Sequence, residues 1–286
     1  MWVIFALLSA LFAGITTILS KIGVKNVGSD TATAIRTVVV LIFSWIVVFL
    51  FGGEKDIPNL SAKTVLFLVL SGLATGGSWL CYFKALKIGD VNKVVPIDKS
   101  STILTMIIAF IFLHEKITVL KVICMILIAL GTYMMIENKK EQSSASFNSN
   151  YLVWAVLSAI FAALTSILGK IGVSGINSSL GTAIRTIVVL IPAWCTAIVR
   201  EGSGNIKTAS KKDFAFLVLS GITTGLSWLY YYKALRDGQA SIVAPIDKLS
   251  ILVTIAFSRI VLKERLTKKS ASGLVLLTAG TLLLLI

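Results

Sequence analysis

Val94-Val95-Pro96-Ile97-Asp98-Lys99 opens an otherwise apolar run that reaches Leu113, and Val243-Ala244-Pro245-Ile246-Asp247-Lys248 opens a second that ends near Leu262. An ionisable side chain within a membrane span costs about 2.5 to 3.5 kcal/mol on insertion scales, so an aspartate and a lysine at matched places in two spans need partners, water or a purpose. The neighbouring proline removes a backbone donor, which a span tolerates where it faces protein or a wet cavity. Both stretches are therefore read as lining a solute pathway.

The rest of the chain agrees with spans. Of 286 residues, 56% are hydrophobic and only 14% charged, with a mean hydropathy of +0.92, against about 25% charged in soluble domains. The formal charge of +14 would suggest nucleic acid in a soluble chain, but the basic residues sit singly at the ends of apolar runs, where they anchor helices at the membrane surface. No nucleic-acid partner is expected. Cys81, Cys124 and Cys195 lie in apolar runs without metal-ligand spacing, and His114 is the only histidine, so neither a disulfide framework, a metal site nor a cofactor is expected. HExxH, GxSxG and P-loop signatures are missing from any workable context, which argues against an enzyme and against nucleotide-driven pumping. Trp2 to Ser20 before Lys21 resembles a secretory signal, yet its near copy Leu152 to Gly169 before Lys170 marks both as permanent helices.

Ten apolar runs of about 20 residues can be marked, the length that crosses a bilayer as a helix. Moving the chain by 149 positions lays residues 2–137 on 151–286 without a gap, and roughly two in five of the paired residues are identical, the mark of an internal duplication. Each unit has an odd number of spans, so the second enters the membrane upside down. The predicted fold is an all-α polytopic membrane protein of ten transmembrane helices in two inverted five-helix repeats, residues 1–137 and 151–286, with a polar linker at 138–150. Such repeats are a transporter architecture with the solute site at their interface.

The chain resembles the EamA family of the drug/metabolite transporter superfamily in Lys84-Ala85-Leu86 and Lys233-Ala234-Leu235, in the proline early in the fourth and ninth runs, in Glu115 and Glu264, and in Gly131 with Gly280. Each half is similar to the short single-repeat members, so the chain reads as a tandem fusion of two such units. The resemblance implies ten helices, an inverted fold and secondary transport. The Pro-Ile-Asp-Lys form departs from the more apolar sequence that many ten-helix members carry there, so assignments made for amino-acid or drug exporters do not transfer directly.

Helix order places Arg36, Lys84, Asp98 and Lys99 roughly 5 to 8 Å inside one mouth, at 1.5 Å rise per residue. Their counterparts Arg185, Lys233, Asp247 and Lys248 fall inside the opposite mouth. These eight are the candidate substrate-binding or gating residues. Neighbours on a helix diverge by about 100 degrees, so Arg36 or Lys84 is the predicted partner of Asp98, and Arg185 or Lys233 that of Asp247. A permanent ion pair that only fixes packing is the competing reading. Ser78, Trp79, Tyr82, Ser227, Trp228 and Tyr231 are the candidate cavity wall, since indoles prefer the interface to the bilayer centre and need a reason to lie mid-helix. Gly72-x-x-x-Gly76 and Gly221-x-x-x-Gly225 read as close-packing faces. Glu115 and Glu264, beside Lys116 and Arg265 at short turns, read as solvated pairs that end helices.

The predicted function is secondary transport, in the outward direction and by alternating access, of a small polar or amphipathic metabolite, amino-acid-like or an organic anion. The excess of buried cations favours a carboxylate or phosphate. The partners are then the solute, protons as candidate coupling ion, and the lipid bilayer, a monomer sufficing for the fold. The expected location is the plasma (inner) membrane, multi-pass, with orientation left open. A cationic-drug/proton antiporter and a non-transporting scaffold are the alternatives.

Overall fold

The computed structural model describes residues 1–23, 27–88, 91–135, 150–201, 210–261 and 267–286. The predicted linker at 138–150 lies outside them except for Asn150, which is already helical, and so do Glu264 and its neighbour Arg265 and the side chains of Lys21, Pro96 and Arg259. Among the described residues the chain is helical throughout, without strands. The elements are α1 (Trp2–Gly23), α2 (Ser29–Leu50), a 3₁₀ helix (Gly53–Asn59), α3 (Ala62–Ile88), α4 (Val91–Lys99), α5 (Ser101–Phe112), α6 (Val119–Met135), α7 (Asn150–Val173), α8 (Ser178–Glu201), α9 (Lys211–Asp237), α10 (Ala240–Asp247), α11 (Ser250–Val261) and α12 (Lys268–Leu283). Among the described residues seven helical stretches are long and apolar enough to cross a membrane. Large apolar side chains such as Ile42, Phe49, Ile126 and Ile191 stand exposed on the outside, as lipid rather than water requires.

The fourth and ninth apolar runs are each two helices, not one. Proline has no N–H to give to the preceding turn, and after Pro245 the backbone tightens into three-residue steps: Lys248 N donates to Pro245 O at 3.0 Å and Leu249 N to Ile246 O at 2.9 Å. In the first half Ser100 N donates to Ile97 O at 3.2 Å, and its hydroxyl takes the same carbonyl at 2.6 Å, before α-helical bonding resumes with Leu104 N on Ser100 O. The two aspartates thus end up at the C-terminal ends of the short helices α4 and α10.

The two halves interleave. α3 packs along α7 and α9 along α1, while α2 lies against α8 and α6 against α12. Glycine permits this approach. A Cβ on Gly72 would meet Val188 of α8 at 2.7 Å, and one on Gly221 would meet Val39 of α2 at 2.6 Å, so both small-residue faces are packing faces. One close contact is backbone on backbone: a Cβ on Gly131 of α6 would fall 2.5 Å from Leu277 N and 2.6 Å from Gly273 O of α12. Backbone cannot swing aside as a side chain can. Gly131→Ala is therefore expected to separate α6 from α12 and to cost about 1 to 3 kcal/mol, as overpacking does, read as an earlier thermal midpoint in detergent.

Helix starts are closed by carboxylates that arrive from the other half. Glu201, at the end of α8, accepts from Asp30 N at 3.0 Å and Thr31 N at 2.9 Å at the first turn of α2, and Arg200 pairs with Asp30 at 3.0 Å. An anion there satisfies orphan N–H groups and complements the helix dipole.

Candidate functional site

The helix breaks decide where the aspartates point. Asp98 accepts a hydrogen bond from Ser158 Oγ of α7 at 2.8 Å, and Asp247 accepts one from Ser9 Oγ of α1 at 2.7 Å. Ser9 and Ser158 stand 149 positions apart, as the aspartates do, so each half supplies the hydroxyl for the other's carboxylate. Ser78 Oγ in turn donates to Ser158 O at 3.1 Å, and Ser227 Oγ lies 3.4 Å from Ser9 Oγ. The expected pairings with Arg36, Lys84, Arg185 or Lys233 are corrected. Among the described residues neither aspartate has an ion pair, because the helix ends carry them onto α7 and α1. Ser158→Ala and Ser9→Ala, which remove hydrogen bonds to a charged group, are each expected to cost about 1.5 to 3 kcal/mol, measured by thermal or chemical denaturation in detergent.

Around the second break lies a cavity of about 360 Å³, walled by α1, α3, α7, α8, α9 and the end of α10. Its lining includes Thr75, Ser78 and Trp79 from α3, Thr165 and Ser166 from α7, Arg185 from α8, and Ser227, Trp228, Tyr231 and Tyr232 from α9, with Asp247 and Lys248. A pouch of about 70 Å³ shares Ser166, Tyr231, Asp247 and Lys248 and adds Ser101, Thr102 and Thr105 from the first turns of α5. A larger groove of about 530 Å³ between α2, α8 and α9 is lined by Ile35, Phe43, Trp194 and other apolar side chains, and holds nothing that grips a polar solute.

Arg185 dominates the cavity. It is only 2% exposed. Its Nε donates to Ser71 Oγ at 3.0 Å and its Nη2 to Thr75 Oγ1 at 2.5 Å. The guanidinium lies 5.2 Å from the Trp228 ring and 4.8 Å from that of Tyr232, within the range of a cation–π contact. The remaining nitrogen, Nη1, is buried and has no hydrogen-bond partner. A buried charged donor left unmade costs more than an average hydrogen bond gains, which sets this atom apart from Nε and Nη2.

Of the predicted site residues, the structure brings Arg185, Asp247, Lys248, Ser78, Trp79, Ser227, Trp228 and Tyr231 to one cavity. The others stand elsewhere. Arg36 donates to Ser20 Oγ at 2.6 Å. Lys84 and Lys99 are exposed, Lys99 being near enough to Lys248 for the two charges to repel. Lys233 Nζ sits 4.2 Å over the Phe5 ring, and Tyr82 packs on Phe83. Thr75, Ser71 and Tyr232 carried no signal of their own, although Tyr232 is visible in the run Tyr230 to Tyr232.

Glu115 is the larger surprise. Its side chain is 7% exposed, not solvated. It accepts from Ala240 N at 2.7 Å, Ser241 N at 3.0 Å and the Ser241 hydroxyl, closing the start of α10, and it pairs with Lys170 of α7 at 3.7 Å. Lys170 also donates to Gly238 O. Beside it, the largely buried Lys121 of α6 donates to Lys116 O at 2.9 Å and to Gln239 Oε1. The turn after α5, the end of α7, the end of α9 and the start of α10 are thus tied together.

Residues 1–137 and 149–286 each match the EamA-like transporter family. An uncharacterized transporter encoded in the cobO 3′ region of Sinorhizobium sp. is 43% identical over 134 residues, 47% of this chain and 95% of its own length. The uncharacterized transporter YxxF of Bacillus subtilis is 25% identical over 248 residues, 85% of this chain and 76% of its own. A crystal structure superposes with a TM-score of 0.78 at 13% identity, covering 99% of this chain and 97% of that one, a likeness of fold alone.

Proposed function

The chain belongs to the EamA-like transporter family, and from that premise we propose that it is a secondary transporter that carries a small metabolite bearing a carboxylate or another compact anion, amino-acid-like or an organic acid, out of the cell. Family and spans make it a multi-pass protein of the plasma membrane and a transporter rather than an enzyme. The proposed frame is ten spans in two inverted repeats, 1–137 and 151–286, that take turns in opening to either face. Supporting it are the reciprocal pairing of α3 with α7 and α9 with α1, the exchanged serine–aspartate bonds and a relative about the length of one half. Discontinuous helices whose ends face a shared cavity are a recurring way to hold a solute at mid-membrane.

The single observation that carries the solute class is Arg185 itself, which lines the cavity and has one guanidinium nitrogen, Nη1, buried without a hydrogen-bond partner. A guanidinium held by two hydroxyls and two rings keeps one edge without a protein partner, and a carboxylate matches such an edge in shape and charge. Lys248 adds a second cation to the same cavity, and Trp79, Trp228 and Tyr231 offer flat surfaces to an apolar part of the solute. Asp247 on that wall suits an ammonium group, which favours a zwitterion among the anions and is the feature that a cationic-drug reading would build on. Proteoliposomes loaded with labelled amino acids and organic acids test the proposal. Efflux of at least one carboxylate that is saturable, and competed by other carboxylates but not by quaternary ammonium ions, is expected. Efflux of quaternary cations alone would overturn it.

A further inference from the structure

The duplication hides an asymmetry at the two matched arginines, Arg185 buried and Arg36 half-buried. Arg36 and Arg185 occupy corresponding positions, but their surroundings differ in sequence as well as in geometry. Where the second half has Gly169, the first has Ser20; where the second has Tyr232, the first has Phe83. Ser20 Oγ accepts from Arg36 Nη1 at 2.6 Å, whereas a Cβ on Gly169 would meet the Tyr232 ring at 2.4 Å and Ser71 Oγ at 3.1 Å. The bare glycine is thus what lets Tyr232 lie against α7 and present its face to Arg185, 4.8 Å away. On the other side a serine hydroxyl takes up the arginine, and Arg36 lines none of the three cavities described.

Resting on the carboxylate reading of Arg185, we infer that the chain has one solute anion site, not two, and that the pair Gly169 and Ser20 sets which half provides it. Gly169 makes room for the ring that holds Arg185 at the cavity. Ser20 withholds Arg36, so that the older twofold site now works on one side only. The difference is written in the residue types and so persists whichever face of the protein is open. Tyr232 and Gly169 are positioning residues here; the anion itself meets Arg185.

Titration of the purified protein with benzoate and with phenylalanine, followed by tryptophan fluorescence and by calorimetry, tests this. The wild type is expected to bind one equivalent per chain. Gly169→Ser is expected to weaken that binding at least tenfold by pushing Tyr232 off Arg185. Ser20→Gly, which frees Arg36, is expected to add a second, weaker equivalent, and it keeps the test decisive if Gly169→Ser does not fold. Two equal sites in the wild type, or a single site unchanged in Ser20→Gly, would overturn the inference while leaving the carboxylate reading intact. Failure of the wild type to bind either probe would instead remove the carboxylate reading on which it rests.

Discussion

Arg185→Gln is expected to lower carboxylate efflux from proteoliposomes, and binding of the same solute, by at least about thirtyfold. Truncating one partner of a buried charge pair costs about 2 to 5 kcal/mol, and 1.4 kcal/mol is a factor of ten. The amide can still reach a hydroxyl, but it carries no charge to the cavity. Arg185→Lys separates charge from shape. A lysine ammonium is a point donor on a flexible stem and cannot hold Ser71, Thr75 and a solute oxygen at once while stacked on rings. It is expected to recover only part of the loss. Because Arg185 also ties α8 to α3, the comparison is made on protein that elutes as a single species and keeps its thermal midpoint within a few degrees of wild type. If Arg185→Gln transports as well as the wild type, the guanidinium is packing only.

The second large effect belongs to Glu115. Its carboxylate satisfies the first two N–H groups of α10 and compensates Lys170. Removing one member of such a pair strands the other, at a cost of about 3 to 5 kcal/mol for a fully buried pair, somewhat less here because Lys170 is 20% exposed. Glu115→Ala is therefore expected to loosen the start of α10 and to let water into the cavity from that face. A cysteine placed at Thr75, in protein lacking the exposed Cys195, reports this. Its reaction with a small water-soluble thiosulfonate from the Glu115 side should speed up at least tenfold in Glu115→Ala, whereas Glu115→Gln, which keeps one acceptor for the helix, should fall between. Equal labelling rates in all three would show that Glu115 only ends a helix.

Much of this was legible in the chain and some was not, for physical reasons. The duplication and the two Pro-Ile-Asp-Lys stretches announce themselves because charge in an apolar run is costly and rare. The cavity indoles were visible because mid-span tryptophan is unusual. The aspartates' partners were not legible: Ser9 and Ser158 are ordinary small residues on long apolar helices, and only the interleaving of α1 and α7 with the opposite half brings them within reach. Nor does pairing by helix order foresee that each aspartate is taken up by a serine of the opposite half and not by a cation of its own. Glu115 looked solvated because its neighbour in sequence is Lys116, while its neighbours in space, Ala240, Ser241 and Lys170, lie in the other half. Sequence proximity ranks exposed turns well and ranks buried ones poorly.

The most direct measurement is the change in thermal midpoint of the purified protein with amino acids, organic acids, nucleosides and quaternary ammonium compounds, since a ligand that binds only the folded state stabilises it in proportion to the logarithm of its concentration over its dissociation constant. The account predicts stabilisation by one or more carboxylates, lost in Arg185→Gln. A clear shift with quaternary cations and none with any anion or zwitterion would contradict it.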